Sequence, residues 1–427
     1  MTWIRTSSSG RRTSVSESEE LLPNTATSTA EPPVTSEERQ VLWRGALALA
    51  AAMGVGRFAY TPILPLMERQ AGLGADTGAQ IATANYVGYL VGALLLSFRS
   101  SLAVSRAFTR GWFVVLVGTT ALMPLTTSPP VWMLLRLLTG VASAVIFIVS
   151  AQAVLRTLRS NPHLSGWAYG GVGLGIAVSG TTVLLLGTTA SWSTSWWLCA
   201  ALALLLGFPV WTLLDRAASP RERTARDGTG REGRGRAFGL LLTGYFLEGV
   251  GYIIAATFLV AALSDAELAW LGNGAWVLVG LAAVPSCVLW ARFSRGIAAP
   301  SLLVAALLLQ AVAVALPGLT SAPTLVAVSA VAFGGTFMGI TTLALASGAQ
   351  LGVPGSAAAL TAAYGLGQIV GPLVVQPTLG AGYQPALLIG GAVLLAGAVT
   401  MLLLRLTAWP GVTSSHTADR ESRNNTS

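Results

Sequence analysis

Long apolar runs, separated by short polar segments, fill the chain from residue 42 to residue 406. A helix needs about 20 apolar residues to cross a bilayer, and each run is close to that length or longer. The pattern therefore predicts an all-α membrane protein with twelve transmembrane helices. They are expected at residues 42–67, 80–98, 111–127, 130–155, 166–188, 192–214, 238–263, 270–291, 299–317, 323–350, 357–379 and 384–406.

Polar segments at the ends and in the middle divide these runs into two sets of six. Residues 1–40 are rich in Ser, Thr, Glu, Pro and Arg without an apolar period, which predicts a disordered tail. They contain no short apolar core with a cleavage site, so we do not expect a signal peptide. The predicted plan is a tail at 1–40, a six-helix bundle at 41–214, a central loop at 215–236, a second bundle at 237–406 and a tail at 407–427.

The composition is that of an integral membrane protein. Hydrophobic residues make up 53% of the chain and charged residues 10%, whereas a soluble domain carries about 25% charged residues. The net charge of +8 does not indicate nucleic-acid binding, because the 25 basic residues, all arginines, collect in loops and tails. Cys199 and Cys287 lie inside apolar runs and show no metal-ligand spacing. We expect no metal, no cofactor and no nucleic-acid partner.

The distribution of arginine predicts the orientation in the membrane. One alternating set of tails and loops holds 22 arginines, and the opposite loops hold one, Arg69. Because cytoplasmic loops collect basic residues, both termini and the central loop should be cytoplasmic, in a multi-pass protein of the inner or plasma membrane. Several tryptophans fall at the opposite helix ends, where an aromatic belt is expected: Trp132, Trp192, Trp196, Trp197 and Trp270.

The two halves of the chain resemble each other. Gly54-Val-Gly in the first run matches Gly249-Val-Gly in the seventh at an offset of 195, and Gly173-Leu-Gly matches Gly365-Leu-Gly at an offset of 192. The near-constant offset implies two bundles of parallel orientation. Such repeats are typical of transporters whose site lies near the bilayer midplane between the halves.

Local motifs narrow the class. They include Gly54-Val-Gly-Arg-Phe-Ala-Tyr-Thr-Pro-Ile-Leu-Pro-Leu-Met67, Tyr245-Phe-Leu-Glu-Gly-Val-Gly-Tyr252 and Leu360-Thr-Ala-Ala-Tyr-Gly-Leu-Gly-Gln-Ile-Val-Gly-Pro372. With the twelve runs, they resemble the major facilitator superfamily and, within it, the YbfB/YjiJ-type transporters. The resemblance implies alternating access, with helices 1, 4, 7 and 10 lining a central cavity. The loop between helices 2 and 3 departs from the superfamily, because it lacks the usual aspartate.

Away from the ends of the apolar runs, three charged residues lie within them: Arg57, Arg136 and Glu248. A charge near the bilayer centre costs roughly 2.5–3.5 kcal/mol on insertion scales, so each should face protein or a watery cavity. Arg57 either lines a substrate pathway or only ties two helices together, and Arg136 either reaches the cavity or snorkels to the interface. The depths of Arg57 and Glu248 differ by roughly 8 Å at the helical rise, so we expect them to form one charge-coupled site for protons.

Uncharged side chains complete the predicted substrate pathway around Arg57 and Arg136. They are hydroxyl, amide and phenol groups inside the same runs: Tyr60, Asn85, Tyr86, Tyr89, Tyr169, Tyr245, Tyr252, Thr336, Tyr364 and Gln368. An aromatic-lined cavity with an arginine suits an anionic, zwitterionic or amphipathic solute.

These features predict a secondary active transporter, not an enzyme, that works as a monomer by alternating access. Glu248 is the one intramembrane carboxylate, so protons are the expected coupling ion and a small organic solute the cargo. Export is favoured over the alternative of proton-coupled uptake of an organic anion or zwitterion. A second alternative is a non-transporting membrane sensor, which would require a soluble signalling domain.

Overall fold

A computed structural model describes residues 34–158, 164–186, 191–209, 211, 231–264, 269–407 and 409. Within these ranges the chain is helical and has no strand. The helices follow the predicted runs in order: α1 (Ser36–Ala71), α2 (Ala75–Phe98), α3 (Arg106–Leu122), α4 (Pro129–Thr157), α5 (Ser165–Leu186), α6 (Trp192–Gly207), α7 (Arg231–Ser264), α8 (Ala269–Phe293), α9 (Ala299–Ala315), α10 (Pro323–Gln350), α11 (Ser356–Val375) and α12 (Gln384–Thr407).

The helices confirm a multi-pass α-helical membrane protein. Eleven of those in the described ranges are long and apolar enough to cross a bilayer, and the apolar helix α6 is shorter. The predicted tail segments 1–33 and 410–427, and most of the predicted central loop, lie outside the described residues.

Four helices start five or more residues earlier than the hydrophobic pattern predicts: α1, α2, α3 and α7. At α1, Thr35 and Glu38 form a capping box: the Thr35 hydroxyl accepts from the Glu38 N–H, and the Thr35 N–H donates to the Glu38 carboxylate. These bonds satisfy end groups of the helix, so it begins at Ser36 rather than at residue 42. Likewise α7 begins at Arg231, inside the stretch predicted as the central loop.

The long helix α1 is broken near its middle. An α-helix runs over Ser36–Leu49, a π-helical turn follows at Ala50–Val55, and the α-helix resumes over Tyr60–Ala71. Pro62 and Pro65 sit in the second half and have no N–H, so two carbonyls one turn before them lose their helical partner. The prolines of the motif Gly54–Met67 therefore contribute to the break.

Equivalent helices of the two halves pack through glycine in the same way. In the first half, a Cβ on Gly171 of α5 would lie 2.0 Å from Ala46 O of α1. In the second half, a Cβ on Gly367 of α11 would lie 2.4 Å from Phe246 O of α7. Only glycine permits this approach, and small residues at helix interfaces are the usual way for membrane helices to pack closely.

The largest contacts between helices α1–α6 and helices α7–α12 lie in three places. Helix α5 packs against α8, helix α2 against α11, and the second part of α1 against α7. Gly173 and Gly280 lie on the α5–α8 seam, where a Cβ on Gly280 would lie 2.3 Å from Ala177 N. Helices α1 and α7 are the most enclosed of the described helices, so the residues they carry lie at the centre of the molecule.

The predicted aromatic belt is largely wrong. Trp132 and Trp196 are buried, Trp192 is nearly so, and the rings of Trp132 and Trp192 pack edge to face at 5.6 Å. Only Trp197 of these is exposed, and the Trp270 side chain lies outside the described residues. Position near a helix end did not show which way each indole turns.

Candidate functional site

The break in α1 leaves backbone carbonyls that other helices must satisfy. The Gly56 N–H bonds Ala51 O and the Arg57 N–H bonds Met53 O, so the carbonyl of Ala52 is passed over. Ser143 of α4 donates its hydroxyl to this carbonyl at 2.8 Å. In a bilayer no water replaces a missing partner, so the serine hydroxyl stabilises the π-helical turn.

Arg136 of α4 holds the next carbonyls of the break. Because Pro62 has no N–H for Phe58 O, the Thr61 N–H turns to that oxygen and leaves Arg57 O free. Arg136 donates from Nη1 to Gly56 O and from Nη2 to Arg57 O, each at 2.8 Å. The guanidinium therefore acts as a structural clamp across α1 and α4.

This clamp resolves the two alternatives for Arg136. The side chain is 1% exposed, so it neither snorkels to the interface nor offers its Nη atoms to a solute. Two other predicted pathway residues belong to the same region: the Asn85 amide donates to Arg136 O at 2.9 Å, and the Tyr60 ring lies 5.2 Å from the guanidinium carbon. The Tyr60 hydroxyl donates to Gly78 O at 2.9 Å.

Arg57, beside the clamp, faces the interface between the two halves. Its guanidinium donates through Nη2 to the amide oxygen of Gln368 on α11, while its Nε atom has no hydrogen-bond partner. Two tyrosine rings of α2 frame it, with the guanidinium carbon 4.3 Å from the Tyr89 centroid and 5.0 Å from the Tyr86 centroid. A cation held by ring faces and a neutral amide keeps its charge uncompensated.

We call the group that Tyr86, Tyr89 and Gln368 form around Arg57 the cage. Aromatic rings extend from the cage into the second half of the chain. Tyr245 and Tyr364 stack at 4.7 Å with an interplanar angle of 8°, and Tyr252 stacks on Tyr364 at 5.8 Å. Tyr252 also stacks on Phe337 of α10 at 5.5 Å. We call Tyr245, Tyr364 and Tyr252 the tyrosine stack. Three of the predicted tyrosines thus form one surface next to Arg57, which is within electrostatic reach of Tyr252 and Tyr364.

The predicted ion pair between Arg57 and Glu248 is not formed. Glu248 is fully buried, and neither of its carboxylate oxygens has a hydrogen-bond partner among the residues that the structure describes. Its polar neighbour is Gln310 of α9 rather than Arg57. The depth estimate took no account of the side chains between the two charges: Tyr252 and Tyr364 each lie within electrostatic reach of both Arg57 and Glu248.

Two predicted pathway residues stand apart from the cage. Thr336 is buried and returns its hydroxyl to carbonyls of its own helix, Ala332 O and Phe333 O. Tyr169 is half-buried and packs against Phe147 of α4 at 6.2 Å between ring centroids. Sequence reasoning missed several residues that complete the site: Phe58, Phe333, Phe337, Trp276, Thr257, Ser143 and Gln310.

One end of the interface between the halves is closed. At the end where α1 turns into α2, the Thr61 hydroxyl donates to Ala256 O of α7. The Tyr86 and Thr257 hydroxyls are 2.7 Å apart, and the Tyr383 hydroxyl bonds the Glu68 carboxylate. Toward the other end, four side chains on other helices are partly exposed: Phe147, Tyr169, Thr341 and Tyr364. The contacts of α1 and α2 with α7 therefore close one end, and partly exposed side chains lie at the other.

We predict that Arg136→Met destabilises the protein more than Arg57→Met does. The first change removes two hydrogen bonds from a charged group, each worth about 1.5–3 kcal/mol, and leaves two buried carbonyls unpaired. The second removes a cation whose hydrogen-bond partner is a neutral amide. Thermal unfolding of both variants in detergent measures the difference, and equal losses would contradict the clamp.

Comparison with known proteins agrees with this architecture. The family model described as "Uncharacterised MFS-type transporter YbfB" matches residues 49–402. Crystal structures of the nucleoside transporter NupG and of a point mutant of it are similar in fold, with TM-scores of 0.64 and 0.66. Each is 13% identical to this chain in sequence. The alignment with NupG covers 87% of this chain, the alignment with the mutant covers 86%, and each covers 99% of the NupG chain. No curated protein matches. The chain belongs to the YbfB family of transporters in the major facilitator superfamily.

Proposed function

We propose that the protein moves a small organic solute with an anionic group across the inner membrane by alternating access, coupled to protons. The observation that carries the proposal is the state of Arg57. It is 2% exposed, lies between the halves, and has an unpaired Nε and only a neutral amide as hydrogen-bond partner. A carboxylate would supply both the charge and the acceptor atoms that this guanidinium lacks.

The twelve helices would form two six-helix bundles, at 41–214 and 237–406. The glycine contacts support this plan, because α1 meets α5 as α7 meets α11. The arginine distribution supports a cytoplasmic position for both termini and the central loop. With that orientation the closed end faces outward, and the partly exposed residues face the cytoplasm.

The solute would bind where the cage and the tyrosine stack meet. Tyr86, Tyr89 and Gln368 surround Arg57, and Tyr252 and Tyr364 add stacked rings beside it. Planar surfaces stack on planar solutes, so an aromatic or conjugated carboxylate fits these groups better than an aliphatic one. Tyr169 would lie along the route toward the cytoplasm.

A neutral planar solute is the second candidate. The tyrosine stack and the amides of Gln368 and Asn85 could serve a heterocyclic ring without using the charge of Arg57, and the similar fold of NupG belongs to a nucleoside transporter. Export of the solute remains favoured over uptake. A non-transporting sensor is less favoured, because the closed end and the partly exposed end suit alternating access.

The transport proposal is tested in vesicles reconstituted with purified protein. Hippurate, an aromatic ring joined to a carboxylate by an amide, is the anionic probe; phenylalanine and uridine are the zwitterionic and neutral probes. We expect pH-gradient-driven accumulation of hippurate. Accumulation in vesicles that are acidic inside indicates antiport and export, whereas accumulation in vesicles that are alkaline inside indicates symport and uptake. Movement of uridine alone would reject the anion, and movement of none would reject the proposed solute classes.

Arg57→Lys tests the contact with the solute. Lysine keeps the charge but loses the planar fork that matches a carboxylate. We expect the apparent affinity for hippurate to fall by about tenfold, which corresponds to about 1.4 kcal/mol. The exposed Arg405, replaced by lysine, is the matched control and should leave uptake unchanged. Unchanged affinity in Arg57→Lys would remove Arg57 from the binding site.

Alternating access predicts that the closed end must open during transport. Thr61→Cys and Ala256→Cys, introduced together after Cys199→Ala and Cys287→Ala, place thiols on α1 and α7 where the side chain and backbone already touch. Cross-linking the pair should stop hippurate transport, and reduction of a disulfide cross-link should restore it. Thr61→Cys alone is the control. Full transport by the cross-linked protein would contradict the mechanism.

Glu248→Gln tests proton coupling. The amide has the size of the carboxyl group but cannot exchange a proton. We expect the variant to exchange hippurate across the membrane at a rate close to that of the unmodified protein, while accumulation driven by a pH gradient is lost. Gradient-driven accumulation at the unmodified level would exclude Glu248 as the coupling group.

A further inference from the structure

Glu248 and Gln310 form an isolated polar pair inside the second half of the protein. Both side chains are fully buried. Both carboxylate oxygens of Glu248 and both polar side-chain atoms of Gln310 lack a hydrogen-bond partner. Gln310 is the polar side chain that faces the carboxyl group, in a geometry that falls short of a hydrogen bond. Unpaired polar atoms in an apolar region require an explanation, because a buried donor or acceptor without a partner loses the hydrogen bonds it makes to water.

Glu248 lies on α7 between two differently packed sides of the helix. Gly244 and Gly251, one turn before and after Glu248, pack against Met401 and Leu394 of α12. Tyr245 and Tyr252, also one turn before and after Glu248, carry the rings of the tyrosine stack. The carboxyl group therefore borders both α12 and the stack, and its polar neighbour is Gln310 of α9 rather than Arg57.

An ionised carboxylate is unsuited to this place. Burial of a charge without a partner is strongly unfavourable, and no basic side chain faces Glu248 among the described residues. The titratable groups within its electrostatic reach are the phenols Tyr245, Tyr252 and Tyr364. A carboxyl group that carries its proton is both a donor and an acceptor, and the amide of Gln310 offers the complementary acceptor and donor.

We propose that Glu248 and Gln310 together form the proton-binding site, separate from the solute site, with Gln310 as the positioning residue. A small approach of α9 to α7 closes two hydrogen bonds when Glu248 is protonated. Loss of the proton leaves a charge in an apolar region and drives the helices apart. This inference rests on the proposed proton coupling but concerns a residue that the function alone does not assign.

The tyrosine stack supplies the route between the two sites. Tyr364 lies within electrostatic reach of both Glu248 and Arg57. It also touches α7 directly, since a Cβ on Gly249 would lie 2.6 Å from Tyr364 O. A shift of α7 on protonation therefore moves Tyr364 against Tyr252, and so changes the surroundings of Arg57 without any contact between the two charges.

Infrared spectroscopy tests the proton site without any solute. Glu248→Gln should remove a protonated-carboxyl C=O band from the spectrum of the purified protein at neutral pH. Gln310→Met and Gln310→Leu, both made so that one folded variant suffices, should move that band to higher frequency because the amide hydrogen bond is lost. Ser329→Ala, which removes a buried hydroxyl bonded to Ala313 O of α9, is the control and should leave the band in place. An unchanged band in the Gln310 variants, or no band lost in Glu248→Gln, overturns the inference.

Transport separates this inference from the proposed function. In Gln310→Met, gradient-driven hippurate accumulation should fall by about tenfold, within the range of coupling energies between sites, while hippurate exchange persists. If accumulation is unchanged although the band moves, Gln310 does not position the coupling proton and the inference is overturned. If no probe moves in the unmodified protein but the infrared results hold, the proposed solute fails and the proton site stands.

Discussion

The constraint on which the site depends is the satisfaction of backbone carbonyls at the break in α1. A membrane interior offers no water to a free carbonyl, so a break at this depth exists only where other helices donate hydrogen bonds. Ser143 and Arg136, both on α4, supply them to Ala52, Gly56 and Arg57. The break turns the chain just before Arg57, which places that side chain between the rings of α2 and the amide of Gln368. One buried arginine therefore holds the backbone of the break, and the other, in the proposed function, binds the solute.

The two arginines differ in what surrounds them, although both are buried. Arg136 has two backbone oxygens as acceptors and two rings beside it, Tyr60 and Trp196. Arg57 has one neutral amide as acceptor and rings on α2, and the Nε atoms of both arginines lack a partner among the described residues. The hydrogen bonds of Arg136 stay within the first half of the chain, so they do not depend on the position of the second half. The hydrogen bond of Arg57 to Gln368 joins the two halves. Opening of the interface must break that contact, and a bound anion can replace it.

Much of the fold could be predicted from hydrophobicity alone, because the lengths of the runs and the spacing of arginine determine where helices lie. The cage around Arg57 could also be predicted, because Tyr86, Tyr89 and Gln368 are rare polar groups in apolar runs. The rotation of each helix about its axis could not be predicted. Helix α7 is apolar on nearly every face, so its pattern does not show which neighbours Glu248 faces. The role of Arg136 was equally hidden: it depends on carbonyls freed by Pro62 in another helix. Gln310 gave no signal beyond being a glutamine in an apolar run.

Separation of the two charges changes how coupling can work. Had Arg57 and Glu248 been paired, an anionic solute would have competed directly with the carboxylate for one guanidinium. With Glu248 turned toward Gln310, no such competition occurs, and the influence of one site on the other must pass through elements that touch both. The tyrosine stack meets this requirement, because Tyr364 packs on α7 beside Glu248 and extends toward Arg57. Stacked rings in a close-packed interior transmit displacement rather than absorb it, so in the proposed mechanism a movement of α7 on protonation would reach the solute site through packing and not through charge.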